Sequence, residues 1–233
     1  MKDIYTKLLL HMDGTDGSTT FVDSSFSGRA ITTVGNAQID TAQYKFGGAS
    51  GLFDGNGDYL TVPDSDDWYF GTGDFTIDVW IRVADFSTYH TICAQRVDDN
   101  NYWVFYLGSN LITFAQVVSS SVNINVQLNY SFSVNTWYHI ALIRTGNTWR
   151  AFVNGTQVGA DVSESDSVSN FAASLQVGAA LITGYLYYFN GWMDELRISK
   201  GIARWTANFT PPSSPYNYYI PCGGVAIGSP MIF

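Results

Sequence analysis

Residues 121–130, SVNINVQLNY, alternate without a break. Val122, Ile124, Val126 and Leu128 fall on one face, and Asn123, Asn125, Gln127 and Asn129 on the other. A period of two marks a strand with one buried and one wet face. Residues 75–83, FTIDVWIRV, repeat the pattern: Phe75, Ile77, Val79, Ile81 and Val83 lie opposite Thr76, Asp78, Trp80 and Arg82. Trp80 among polar neighbours implies partial cover on that second face too. Further strands are predicted over 59–62, 90–95, 102–107, 111–118, 137–144, 149–154, 174–178 and 189–199. Turns rich in Gly, Asn and Asp separate them: DGNGD at 54–58, GTGD at 71–74, TGN at 145–147 and VNG at 153–155. Helical periodicity is nearly absent and no internal period recurs. Many short strands at this spacing predict a sandwich or jelly roll.

From about residue 207 the pattern changes. PPSSPYNYY at 211–219 carries three of the six prolines and cannot join a central sheet. The apolar, glycine-rich IPCGGVAIGSPMIF follows. The expected organisation is a domain over residues 1–209 and an extended arm over 210–233, wrapping its own domain or docking on a neighbour.

Composition narrows the function. Aromatics make up 16% of the 233 residues but charged residues only 13%, about half the usual share. Such a surface suits interfaces or sugar contact better than electrostatic capture. The net charge of −9 argues against nucleic acid, which calls for basic surface to displace phosphate counterions. The apolar run Leu8 to Leu10 is too short for a signal-peptide core, and no segment reaches membrane-spanning length; synthesis without a signal peptide and no membrane insertion are expected. Cys93 and Cys222 are compatible with one disulfide or with two buried thiols. The Asn-x-Ser/Thr triplets at Asn129, Asn154 and Asn208 are read as chance.

Six stretches, in order, resemble the laminin G-like family of the concanavalin A-like lectin/glucanase superfamily. They are LLLHMDGTDGSTTFVDSS at 8–25, KFGGASGLFDGNGDYLTVPDS at 45–65, FGTGDFTIDVWIRV at 70–83, NTWYHIALIR at 135–144, WRAFVNGTQVG at 149–159 and YYFNGWMDELRISKGIARWTANF at 187–209. The resemblance implies an all-β, two-sheet antiparallel jelly-roll sandwich with an extended C-terminal arm. It also implies a ligand face on one sheet and its edge loops. Domains with similar wording belong to phage virion and bacterial surface proteins, so a virion or cell-surface setting is expected.

Related glucanases use carboxylates alternating along one strand. Here Asp194 and Glu195 are neighbours, which a regular strand sends to opposite faces. Asp78 stands alone, and His11, His90 and His139 are scattered. No enzyme is expected. Asp and Gly in the first loops are turn formers or, by the resemblance, ligands of one structural Ca2+ held by Asp13 and Asp194. Sugar sites pair aromatic surface with amide and carboxylate hydrogen bonders. The candidates are Asp98, Asn100, Asn101 and Tyr102, then Tyr185, Tyr187 and Trp149, with the amides Asn123, Asn125 and Gln127 beside them. Trp80 and Trp137 are expected to be structural. The partners expected are a glycan or polysaccharide and other virion or surface proteins. The leading reading is a carbohydrate-binding module for host recognition. The alternative is a virion structural subunit, a head decoration or tail-associated protein forming a homo-oligomer through its arm.

Overall fold

A computed structural model describes residues 3–183 and 185–216. The strands are β1 (Thr6–Leu10), β2 (Thr32–Val34), β3 (Gln38–Asp40), β4 (Ser50–Asp54), β5 (Tyr59–Val62), β6 (Phe75–Val83), β7 (His90–Asp98), β8 (Asn101–Gly108) and β9 (Leu111–Val118). They continue as β10 (Ser121–Asn129), β11 (Trp137–Thr145), β12 (Thr148–Val153), β13 (Thr156–Ser163), β14 (Leu175–Val177), β15 (Leu181–Ile182), β16 (Tyr185–Leu186) and β17 (Asn190–Lys200).

One sheet runs β13-β12-β11-β6-β17-β4-β3, with β1 also paired to β17; the other runs β10-β9-β8-β7-β14-β5-β2. Every pairing is antiparallel, as the sequence pattern predicts for a jelly roll. Between the sheets lies one apolar core drawn from the inward positions of both. Phe75, Trp103, Phe114 and Trp149 meet at its centre. Phe114 lies 5.6 Å from Trp103 and 5.0 Å from Trp149, and Phe75 lies 5.2 Å from Trp149.

Trp149 is therefore a core residue. It is 0% exposed, and its Nε1–H donates to the Glu164 carbonyl at 3.2 Å. This overturns its assignment to a sugar site: a ring closed between two sheets offers no face to a ligand. A second correction concerns Val122. A register shift between Val122 and Ile124 puts an extra residue into β10, and Val122 emerges 65% exposed. The bulge re-aims a side chain that strict alternation sends inward. Trp137 is only half-buried, opposite Arg82 on the outer side of its sheet, whereas Trp80 is buried as expected.

The outer face of the β6–β11–β12 sheet is covered by the chain after β17. Trp205 and Phe209 stack at 4.0 Å, and with Ala203 they pack on Ala141, Ile143 and Phe152. Gly155 makes this close approach feasible: a Cβ there would sit 1.9 Å from the Phe209 carbonyl oxygen. Residues 210–216, the first part of the expected arm, continue over the same face to Tyr216. Residues 217–233, with Cys222, lie outside the described residues. Cys93 is buried, and burial raises its thiol pKa.

Candidate functional site

The other sheet keeps an open outer face. Its strands β8, β9 and β10 contain no charged residue. Their register aligns Tyr106 with Thr113 and Thr113 with Gln127, and likewise Val104 with Ala115 and Ala115 with Asn125. Asn125, Gln127 and Asn129 are exposed along β10. Among the described residues the side-chain amides of Asn125 and Gln127 have no hydrogen-bond partner, while Asn123 Oδ1 accepts from the Val118 N–H at 3.1 Å.

One side of this face carries a tyrosine wall. Tyr187 lies 5.9 Å from Tyr106 and 5.1 Å from Tyr89, and Tyr89 lies 5.2 Å from Tyr106. Tyr89 is 40% exposed. It rests over Gly108, where an added Cβ would meet its ring at 2.8 Å. Beneath the wall, Tyr102 and Tyr106 pack with Ala94, Val104, Ala115, Ala180 and Ile182. The structure thus brings together the predicted Tyr102 and Tyr187 and adds Tyr89 and Tyr106. The i, i+4 spacing of Tyr102 and Tyr106 on one strand was the available signal for the latter. Tyr185 is paired with Ile182 in the β15–β16 hairpin, and its side chain lies outside the described residues.

The other predicted polar residues act chiefly as fasteners. Asp98 Oδ1 accepts from Asn100 N–H at 2.8 Å and from Asn101 Nδ2 at 3.0 Å, closing the β7–β8 turn. Asn101 Oδ1 accepts from Ser119 N–H, and Asn100 Oδ1 from Ser120 Oγ, tying that turn to the β9–β10 turn. Asp99 accepts from Thr183 N–H at 2.9 Å and from Arg96, which hold its carboxyl down at about 2. This anchors the β15–β16 hairpin on the sheet.

A second polar recess opens where β10 meets the β12–β13 hairpin. It has a volume of about 490 Å³ and is lined by Asn129, Tyr130, Asn154, Thr156, Gln157 and the backbone around Gly159, with Val153 and Val158 at its floor. Asn154 has φ 49° and Gly155 φ 77°, as a two-residue type I′ turn requires.

A buried ionic cluster lies in the other sheet, beneath the chain's C-terminal strap. Arg197 grips Asp78 through Nε at 3.0 Å and Nη2 at 3.2 Å. His139 Nε2 stands 3.5 Å from Asp78, whose Oδ2 also accepts from the Tyr216 hydroxyl. Arg197 lies 3.7 Å from the Tyr216 ring centre. Burial by itself would raise the Asp78 carboxyl; Arg197, then His139, outweigh it and hold it at about 2. Next to this cluster, His11 Nδ1 and Glu195 Oε1 are 2.6 Å apart, and Glu195 Oε2 accepts from Tyr216 N–H at 2.8 Å.

Asp194 and Glu195 escape strict alternation. The register advances from Asp194 to Arg197 on β17 while β6 advances only from Trp80 to Asp78, and Glu195 takes φ 52° in that bulge. Asp194 is 0% and Glu195 1% exposed, so neither is open to a substrate. Asp194 Oδ2 accepts from Lys45 and Phe46 N–H at 2.8 and 3.0 Å. Its Oδ1, like Asp13 Oδ1, is buried with no donor. Burial, then Glu195 and Asp13, push the Asp194 carboxyl up to about 7 despite those N–H donors. Burial raises Asp13 as well. Two donorless carboxylate oxygens that repel each other suit a hard cation. Among the described residues no three His, Cys, Asp or Glu side chains converge as a metal cage, so backbone carbonyls or water would complete such a shell.

Solved structures share this fold. The binding domain of Paraclostridial Mosquitocidal Protein 1 is 16% identical with TM-score 0.61, over 85% of this chain and 49% of that chain. The botulinum neurotoxin serotype D binding domain is 16% identical with TM-score 0.62, over 85% and 49%. Domain 4 of AbnA, a GH43 extracellular arabinanase from Geobacillus stearothermophilus solved in complex with arabinotriose, is 17% identical with TM-score 0.60, over 85% of this chain and 93% of that one. The chain therefore spans about half the length of the first two binding domains and nearly all of the arabinanase domain. No curated protein matches the sequence. The Laminin_G_3 profile, described as the Concanavalin A-like lectin/glucanases superfamily, matches residues 54–204, well over half of the chain. The chain belongs to this laminin G-like family of the concanavalin A-like lectin/glucanases superfamily.

Proposed function

We propose that the protein is a non-catalytic module that binds a neutral glycan on the outer face of its β7–β10 sheet. One observation carries the reading: a wall of Tyr89, Tyr106 and Tyr187 stands beside exposed amides of Asn125 and Gln127, unpartnered among the described residues, on charge-free strands. Tyrosine offers flat apolar area with a polar tip, and the amides offer both donors and acceptors for hydroxyls. Lack of charge on β8, β9 and β10 favours neutral sugars. Arabinotriose in the arabinanase domain, which shares nearly its whole length with this fold, supports the same class. The seclusion of Asp78, Asp194 and Glu195 supports a binding role over a catalytic one. A structural Ca2+ on Asp13 and Asp194, stiffening the junction of β1, β4 and β17, belongs to the same proposal. So does display on a virion or cell surface, where such a module would meet host polysaccharide.

Binding to an array of neutral polysaccharides, followed by calorimetry, tests the reading. Tyr187→Ala and Gln127→Ala should each weaken binding about tenfold, the loss of one modest hot spot, and Gln127→Ala, on an exposed side chain, should do so with unchanged melting temperature. Silence of the wild-type protein across the array refutes it.

A further inference from the structure

The recess between β10 and the β12–β13 hairpin is separate from the tyrosine wall, yet Asn129 belongs to both surfaces. It ends the outer amide row of β10, opposite Leu111, and it lines the recess. From Asn125 through Gln127 to Asn129 the side chains repeat at two-residue steps, about 7 Å each. A straight path therefore leads from the free amides into the recess. Across the strands, Tyr106 lies two strands from Gln127, about 10 Å. The distance from the wall to the recess exceeds what one sugar residue covers.

The recess has the chemistry of the face that leads to it. None of its lining residues is charged, and 490 Å³ lies within the range of small-ligand pockets. Tyr130 is held rigid, 4.8 Å from Phe132 and 6.0 Å from Tyr138. Asn154 Oδ1 is committed to His139 N–H at 2.9 Å, which turns its NH2 group into a fixed donor. Gln157 is fixed by its backbone N–H on Asn208 Oδ1 at 2.8 Å and by its side-chain Nε2 on Asp161 Oδ1 at 2.9 Å, which leaves its Oε1 as an acceptor. A fixed aromatic ring with an amide donor on Asn154 and an amide acceptor on Gln157 is a sugar-sized site.

We infer that the recess is a second subsite, and that the ligand is a neutral polysaccharide chain running from the tyrosine wall along β10 into it. This rests on the outer-face reading above. Two subsites on one chain make the second contact intramolecular, so affinity rises steeply once a ligand spans both.

The test uses the full chain and a size ladder of arabino-oligosaccharides and cello-oligosaccharides, from disaccharide to octasaccharide, titrated by calorimetry. Affinity should rise at least tenfold between the shortest and the longest binding members. Thr156→Ala and Thr156→Val, at an exposed side chain of the recess alone, should remove that gain while leaving disaccharide affinity and melting temperature unchanged. Equal affinity at all lengths, or recess variants that leave long ligands untouched, overturns the second subsite but keeps the outer face. If Gln127→Ala also has no effect while the wild type binds, the outer face is wrong as well.

Discussion

Asp78→Ala is the most informative single change for the fold. Asp78 is 0% exposed and receives both arms of Arg197, at 3.0 and 3.2 Å, together with the Tyr216 hydroxyl. Arg197 is itself buried and lies between the Tyr216 ring at 3.7 Å and the Trp205 ring at 5.6 Å. Removing the carboxylate strands a guanidinium under the strap. Breaking a buried pair from one side costs about 3–5 kcal/mol, because the remaining charge stays desolvated. Urea unfolding, extrapolated to water, reads the loss. The end of the strap should loosen along with it, since Asp78 holds the Tyr216 hydroxyl as Glu195 holds the Tyr216 N–H. Limited proteolysis should then cut within residues 201–216 of the variant faster than in the wild type. Asp78→Leu combined with Arg197→Met should recover most of the loss, because a buried pair replaced by apolar groups of similar size is close to neutral. A single-variant loss under about 1 kcal/mol, or a double variant no better than the single, refutes the argument.

Three further outcomes are expected. Because Asp78 titrates at about 2 when folded against 3.8 ordinarily, its contribution is present above pH 4 and disappears as pH falls toward 2. The loss is roughly 2 kcal/mol, and Asp78→Asn should flatten this part of the acid-denaturation curve. Millimolar calcium should raise the melting temperature, EDTA should reverse the rise, and Asp13→Asn with Asp194→Asn should abolish it; no shift in the wild type ends the cation proposal. Trp149→Ala should cost about 3–5 kcal/mol by opening the aromatic centre of the core, while the same change at half-buried Trp137 should cost clearly less; comparable losses would mean the two rings are wrongly assigned.

Much of the fold was legible because strand periodicity reports burial directly. The strands over 75–83, 111–118 and 137–144 lie where alternation predicts them. The short strands β2 and β3 carry too few residues for a period to show. Trp149 misled because an aromatic beside Arg150 on a strand is equally consistent with either face; only the packing of Phe75 and Phe114 onto it decides. Asp98, Asn100 and Asn101 were visible as a polar turn, but their hydrogen bonds to one another and to Ser119 and Ser120 are tertiary facts.

The bulge in β17 shows why the buried cluster could not be read from spacing. Strict alternation separates Asp194 from Glu195 and leaves Asp78 and the histidines scattered. One irregular step between Asp194 and Arg197 lets Arg197 meet Asp78 in register, and Glu195 at φ 52° turns to His11. A non-glycine residue in the left-handed region costs about 1–3 kcal/mol and persists only where the surroundings over-determine it. Here the surroundings are the strap, through Tyr216 N–H on Glu195 and Tyr216 hydroxyl on Asp78. The strap seals one face of the sandwich with these buried charges, and the charge-free amides and tyrosines of the opposite sheet are left as the surface open to a ligand. This division of polar groups is what makes the glycan reading of that face testable by substitutions that leave the fold intact.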